Sequence, residues 1–367
     1  MPITQYQLLP NPKKTTKAKK IIIIAIIALA VFCVAFLGQI YIPSKSTSQN
    51  GIMVSIEKGD GLAEIANILK EKQIIDFAFL FEAGAMLKGV GSRLQAGVYY
   101  LSPSMSVSEI LKILSRGEVH TDKITIIEGW GLKEIGWYLE GKGVFSAQEF
   151  FGLVGFPAEI KNEGDSEEIE GLAKKFDFLA EKPDGLGLEG YLFPDTYEIK
   201  RGETLTEVLE KILKNFDEKI DDSLMTEIQK QGKNLFQILT MASILEKEIK
   251  PIEDRPIAAG ILWKRIKNGW PLQIDATVSY LISRPSLELT KNDLAIDSRY
   301  NTYKYYGLPA GPISNPGLDS IRAAVYYKES PYWFYLTPPD GTTVFSRNLE
   351  EHAANKVKYL KWNLYGE

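Results

Sequence analysis

The side chains able to do chemistry in this chain are carboxylates, hydroxyls and amides. Its 367 residues hold one cysteine, Cys33, and two histidines, His120 and His352. A zinc site built on His and Cys, or a cysteine nucleophile outside the N-terminal apolar run, therefore lacks material. No metal and no cofactor are expected. Among the carboxylates Glu246 stands out. Residues 234–250 have helical spacing, with Ile238, Leu239, Ala242 and Ile249 on one stripe with Leu235. At about 100° per residue, Glu246 falls about 20° from Leu235, in the middle of that stripe, and Glu248 points to the opposite side. Burying an ionised carboxylate there is costly, and the macrodipole disfavours negative charge in a last helical turn. Both effects push a carboxyl upward, toward what a general acid near neutral pH requires. The alternative is a Glu246 that reaches solvent or pairs with Lys250 at i+4. The helix pattern alone leaves both open.

Other polar signals cluster downstream. Residues 272–280 place Gln273, Asp275 and Thr277 between apolar neighbours, and Tyr300-Asn-Thr-Tyr adds Tyr300 and Asn301. A Gly/Pro-rich stretch, 307–317, contains Asn315, and its composition leaves the chain little conformational freedom. Flat aromatic faces beside neutral amides suit sugars, although such loops also simply cap domains. Residues 189–197 are similarly aromatic and turn-rich, with Tyr191 and Phe193 read as core and Glu189 and Asp195 left open.

The elements that must position these groups belong to an α+β chain. Ile21 to Ile40 carry no charge and follow Lys13, Lys14, Lys17, Lys19 and Lys20. This predicts a transmembrane helix over 21–42, with a cytoplasmic basic tail at 1–20 and the body outside. A polar linker occupies 43–50. Over 51–120 the order strand, helix, helix, strand resembles a LysM-like module, which implies glycan binding or a purely structural subdomain. A strand–glycine–helix unit recurs: Gly59, Gly61, Leu62, Glu64 and Ile65 are matched seventy residues later by Gly129, Gly131, Leu132, Glu134 and Ile135. A weaker copy lies near Gly202. The mixed region 121–367 has helical patterns near Leu132–Gly141, Thr206–Phe216, Asn234–Lys250, Asp254–Asn268 and Arg347–Leu360. Strands are expected near Ile124–Ile127 and Tyr332–Leu336, and a mobile acidic insertion over Ala158–Lys182. A net charge of −4 gives no basic footprint for nucleic acid, which is not an expected partner.

Five ordered blocks resemble the endolytic murein transglycosylase (YceG-like) family: Glu189-Gly-Tyr-Leu-Phe-Pro-Asp-Thr-Tyr, Ala242-Ser-Ile-Leu-Glu-Lys-Glu, Leu272-Gln-Ile-Asp-Ala-Thr-Val, Tyr300-Asn-Thr-Tyr and Gly307-Leu-Pro-Ala-Gly-Pro-Ile-Ser-Asn-Pro-Gly. Ala276 and Ala310 stand where the family commonly has proline. The resemblance implies that 121–367 is a catalytic domain and that Glu246 is the general acid/base. It further implies non-hydrolytic cleavage between N-acetylmuramic acid and N-acetylglucosamine, leaving a 1,6-anhydro end. Gln273, Asp275, Tyr300, Asn301 and Asn315 are the expected substrate-binding residues. The expected partners are peptidoglycan strands, the membrane and cell-wall synthesis enzymes. The expected location is the plasma (inner) membrane, with the body periplasmic or extracellular. Two rival readings are a non-catalytic glycan-binding scaffold and a hydrolytic muramidase using Asp275 or Glu189 as second carboxylate.

Overall fold

The computed structural model describes residues 15–43, 51–117, 121–155, 167–200, 203–284 and 286–360. The tail 1–14, the linker residues 44–50 and the start of the acidic stretch, 156–166, lie outside the described residues. The chain divides into two compact units, Met1–Asp122 with Lys200–Gly202, and Lys123–Ile199 with Glu203–Glu367.

The first unit opens with helix α1 (Thr15–Gln39). A transmembrane span over 21–42 was expected, and here the expectation fails: among the described residues no helix is long and apolar enough to cross a membrane. Ile40, inside the expected span, packs into protein. It is 2% exposed within the unit's core, and its carbonyl accepts from Ser108 N at 3.0 Å.

Strand β1 (Ile52–Ile56), helices α2 (Leu62–Glu71) and α3 (Ala78–Leu87), strand β2 (Gly97–Leu101) and helix α4 (Val107–Arg116) complete this unit. The strands pair antiparallel, Ile52 opposite Leu101 and Ile56 opposite Gly97. Strand side chains alternate between faces, so Val54, Ile56, Tyr99 and Leu101 point inward while Ser55 and Tyr100 point out. The helices close over them through Ile65, Leu69, Phe81, Ile110 and Leu114. A capping box between Ser106 and Glu109 starts α4, and Gly117 in the left-handed region ends it.

The second unit contains all but the first two residues of β3 (Thr121–Thr125), α5 (Leu132–Gly141), α6 (Ala147–Val154), α7 (Glu167–Ala173), all but the last residue of β4 (Thr196–Lys200), α8 (Leu205–Lys219), α9 (Asp222–Lys230), α10 (Leu235–Glu248), α11 (Arg255–Lys267), α12 (Asp275–Ile282), α13 (Leu318–Val325), β5 (Phe334–Leu336), β6 (Val344–Ser346) and α14 (Leu349–Leu360). Its strands form two-stranded ribbons, β3 with β4 and β5 with β6, and helices supply most of the core. The recurrent turn is built alike in both units: Gly59 has φ +115° and Gly129 φ +79°, and Gly61 and Gly131 are the N-caps of α2 and α5. The described part of the acidic stretch is ordered into the core, with Leu172 and Leu179 buried beneath α7 and the turn 177–181. For residues 167–182 this replaces the mobile surface insertion expected there with packed structure.

Helix α10 is the centre of this unit. A capping box, Asn234 with Gln237, begins it. Ile238 to Leu245 are all buried, because α9, α11, α12 and α13 pack around it. The single apolar stripe expected from the wheel is thus too narrow a description: between Ile238 and Leu245 the helix is enclosed on every side.

Helix α11 reaches its place through a close backbone approach. A Cβ on Gly260 would lie 2.0 Å from the Lys328 carbonyl oxygen. Gly260→Ala is therefore expected to lower stability by about 1–3 kcal/mol through overpacking. Gly141→Ala, which meets nothing within 4 Å, is expected to cost nothing. Paired thermal melts of the two variants measure the contrast.

Candidate active site

Where α10 leaves the core, its last turn presents Glu246. The carboxylate is held by three donors. Arg255 Nη2 donates to Oε1 at 2.8 Å and Nη1 to Oε2 at 3.3 Å, and the backbone N–H of Gly317 donates to Oε2 at 3.0 Å. Both side chains of the ion pair are nearly enclosed, Arg255 7% and Glu246 6% exposed. Arg255 Nε also donates to the carbonyl of Ile249, the C-cap of α10, at 3.0 Å. The partner of Glu246 is therefore Arg255, nine residues on and at the start of the next helix, and not Lys250. Nothing in the local pattern marks Arg255; only the turn between α10 and α11 brings it back.

The Gly/Pro-rich stretch 307–317 docks on α10. Ser243 Oγ accepts from Ile313 N at 3.0 Å, and Ser314 Oγ donates to the Ser243 carbonyl at 3.3 Å. Asn315, fully buried, accepts on Oδ1 from Gly190 N and Leu192 N at 2.9 and 2.8 Å. Its Nδ2 donates to the Trp130 carbonyl and to Glu189. This one side chain joins two of the sequence blocks, 189–197 and 307–317, to the glycine turn at Trp130, and Gly317 then lies against Glu246.

The other expected site residues divide. Tyr300 is buried against Tyr280, ring centroids 5.3 Å apart. Asn301 is fully buried, donating to the carbonyls of Leu294 and Ile296 and accepting from Tyr303 N. Asp275 opens α12 and accepts from Tyr303 OH. Gln273 is exposed with φ +55° and lines a cleft of about 580 Å³ with Arg265, Trp270, Trp333 and Arg347. Among the described residues no group of three or more His, Cys, Asp and Glu is placed to hold a metal ion.

Two further carboxylates serve the scaffold. Glu189 is buried and accepts from Leu132 N, the first residue of α5, at 3.1 and 3.2 Å and from Tyr280 OH at 2.9 Å. A carboxylate at a helix N-terminus is favourable, yet burial dominates and pushes Glu189 up to about 7. Glu248 accepts from Ala276 N at 3.3 Å, and burial, with Asp275 adding repulsion, pushes it up to about 7. Beside Glu189 opens a second cleft of about 470 Å³, whose walls include Lys133, Trp137, Lys247, Tyr280 and Arg284. The wall carries Lys247, the residue after Glu246, rather than Glu246 itself.

Residues 54–358 match the YceG-like family. The chain is 31% identical over 325 residues to the endolytic murein transglycosylase of Bacillus subtilis, covering 87% of each. It is 28% identical over 338 residues to the protein of that name from Streptococcus pneumoniae D39, covering 88% of this chain and 61% of the relative. A yceG-like protein from Listeria monocytogenes, known from a crystal structure, is 32% identical with a TM-score of 0.57, covering 84% of this chain and all of the other.

Arg255→Ala strands a buried carboxylate and is expected to destabilise the fold by about 3–5 kcal/mol, read from denaturant midpoints. A carboxyl raised in the folded state holds its proton more tightly there than in the unfolded chain. The stability due to Glu189 and Glu248 is therefore full below about 4.5 and is lost as pH rises through about 7. Melting temperature is expected to decline across that window, and to decline less in the Glu189→Gln, Glu248→Gln double variant.

Proposed function

The chain belongs to the YceG-like family, and on that premise we propose that it is a peptidoglycan lytic transglycosylase. In this reading it cleaves the bond between N-acetylmuramic acid and N-acetylglucosamine within glycan strands. The muramic acid 6-hydroxyl attacks C1, so water is not a reactant and a 1,6-anhydro end is formed. Glu246 is the carboxylate that moves protons at that bond. Because peptidoglycan lies outside the cytoplasmic membrane, the folded body works outside the cytoplasm.

The observation that carries the reading is the seat of Glu246. It is enclosed on the protein side, yet fixed in direction by Arg255 and the Gly317 N–H at the edge of a loop held by Ser243 of α10 and by the 189–197 block. A proton-transfer group must be positioned to within tenths of an ångström, and such clamping supplies that. Exposed Gln273 is suited to touch sugar directly. Buried Asn301 and Asn315 act by shaping the loops that do. Glu189 caps α5 and Asp275 is tied to Tyr303, which gives each a structural duty in place of the second carboxylate a muramidase needs.

Mass spectrometry of purified peptidoglycan digested by the full chain tests the proposal. The expected fragments are one water lighter than hydrolytic products, and Glu246→Gln is expected to lower their rate by at least about 10²-fold. Reducing ends of full mass would instead identify a muramidase. Glycan binding without cleavage by either protein would identify a scaffold.

A further inference from the structure

A second carboxylate is carried to the point where Glu246 acts. Glu128 follows β3 in the recurrent glycine turn, and that turn is pinned to the 307–317 loop from both sides: Gly129 N donates to the Asn315 carbonyl at 2.9 Å, and Asn315 N to the Trp130 carbonyl at 2.7 Å. The result centres on Gly317. Its N–H is given to Glu246 Oε2, while a Cβ built on its Cα would lie 2.1 Å from Glu128 Oε1 and 3.0 Å from Oε2. A Cβ on Gly129, next to Glu128 in the chain, would lie 3.4 Å from Glu246 Cγ. Only a residue without a side chain lets both carboxylates border the same backbone.

The two groups differ in what is bound to them. Both oxygens of Glu246 already accept from Arg255, and one also from Gly317. Glu128 is exposed, and among the described residues no hydrogen bond or ion pair ties it. Its charged neighbours are Glu246 on α10, Arg255 on α11 and Asp319 on α13. Partial burial, then repulsion from Glu246 and Asp319, raises its carboxyl against the opposing pull of Arg255. A carboxyl raised above its ordinary value, bordering the same backbone as Glu246 and free to reach outward, has the attributes of a general acid.

We propose that Glu128 is the proton donor of the cleavage and Glu246 the proton acceptor. The inference rests on the lytic reading above and divides between two residues the work that a single carboxylate would otherwise do in sequence. As the bond from C1 to the leaving oxygen breaks, Glu128 gives its proton to that oxygen. The 6-hydroxyl oxygen bonds to C1 and its proton passes to the Glu246 carboxylate. The turnover ends with Glu246 protonated and Glu128 ionised, and proton exchange with solvent restores both. No water is consumed.

The test uses the full chain, with rates, glycan co-sedimentation and pH profiles on purified peptidoglycan. Glu128→Gln is expected to lower kcat by about 10²-fold or more, keep glycan binding within about twofold, and lose the fall in rate that the unaltered chain shows with rising pH. Asp319→Asn removes a charge that raises Glu128, so its fall in rate is expected at lower pH. Should Glu128→Gln cut normally while Glu246→Gln is inactive, this inference is overturned and the lytic reading stands. If both variants cut normally, the lytic reading through Glu246 fails with it. A slow Glu128→Gln that retains the original pH fall, or an Asp319→Asn profile that does not move, would assign Glu128 a structural role and overturn the inference.

Discussion

The ion pair between Glu246 and Arg255 is the constraint on which the second unit depends. It joins the end of α10 to the start of α11, and the same guanidinium closes α10 by taking the Ile249 carbonyl. A buried pair is rarely a large net source of stability, since desolvation offsets much of the attraction. Its contribution is directional. Two planar groups joined through two hydrogen bonds fix each other's orientation, and the Gly317 N–H adds a third point that ties the 307–317 loop to the carboxylate. Breaking the pair therefore disturbs two helices and a loop together.

Around that pair the carboxylates have separate duties. Glu189 and Glu248 face inward, one capping α5 and the other meeting the first turn of α12. Burial raises both to about 7, so the ionised forms become a burden on the fold as pH rises. Glu246 and Glu128 face the junction at Gly317. Asn315 links the two sets, since its side chain meets Glu189 while its backbone holds the Glu128 turn. The packing that stabilises the unit also sets the distance between the groups we assign to proton transfer.

A helical wheel treats a helix as having one buried face, which suits α2 and α8 at the surface of their units. It described α10 poorly because four helices surround it. Helix α12 was not anticipated because its eight residues were read as a string of polar site residues between apolar ones. At the N-terminus the apolar composition suggested a membrane span, whereas Ile40 is packed into the first unit and no described helix meets the length and apolarity that a span requires.

By itself the sequence determined what local spacing can determine. It marked the recurrent glycine turns, whose positive φ at Gly59 and Gly129 follows from the residue type. It also located α5, α10 and α11 to within a few residues, and singled out Glu246 from its position on a helix. Tertiary structure decided what surrounds that residue. Arg255, Gly317 and Glu128 lie 9, 71 and 118 residues from Glu246 in the chain, and no periodicity connects positions so far apart. Their convergence depends on the loop 307–317 docking on Ser243 and on Asn315 reaching Gly190, Leu192 and Trp130. Those contacts are long-range hydrogen bonds between buried groups, which form only once the core around α10 has excluded water.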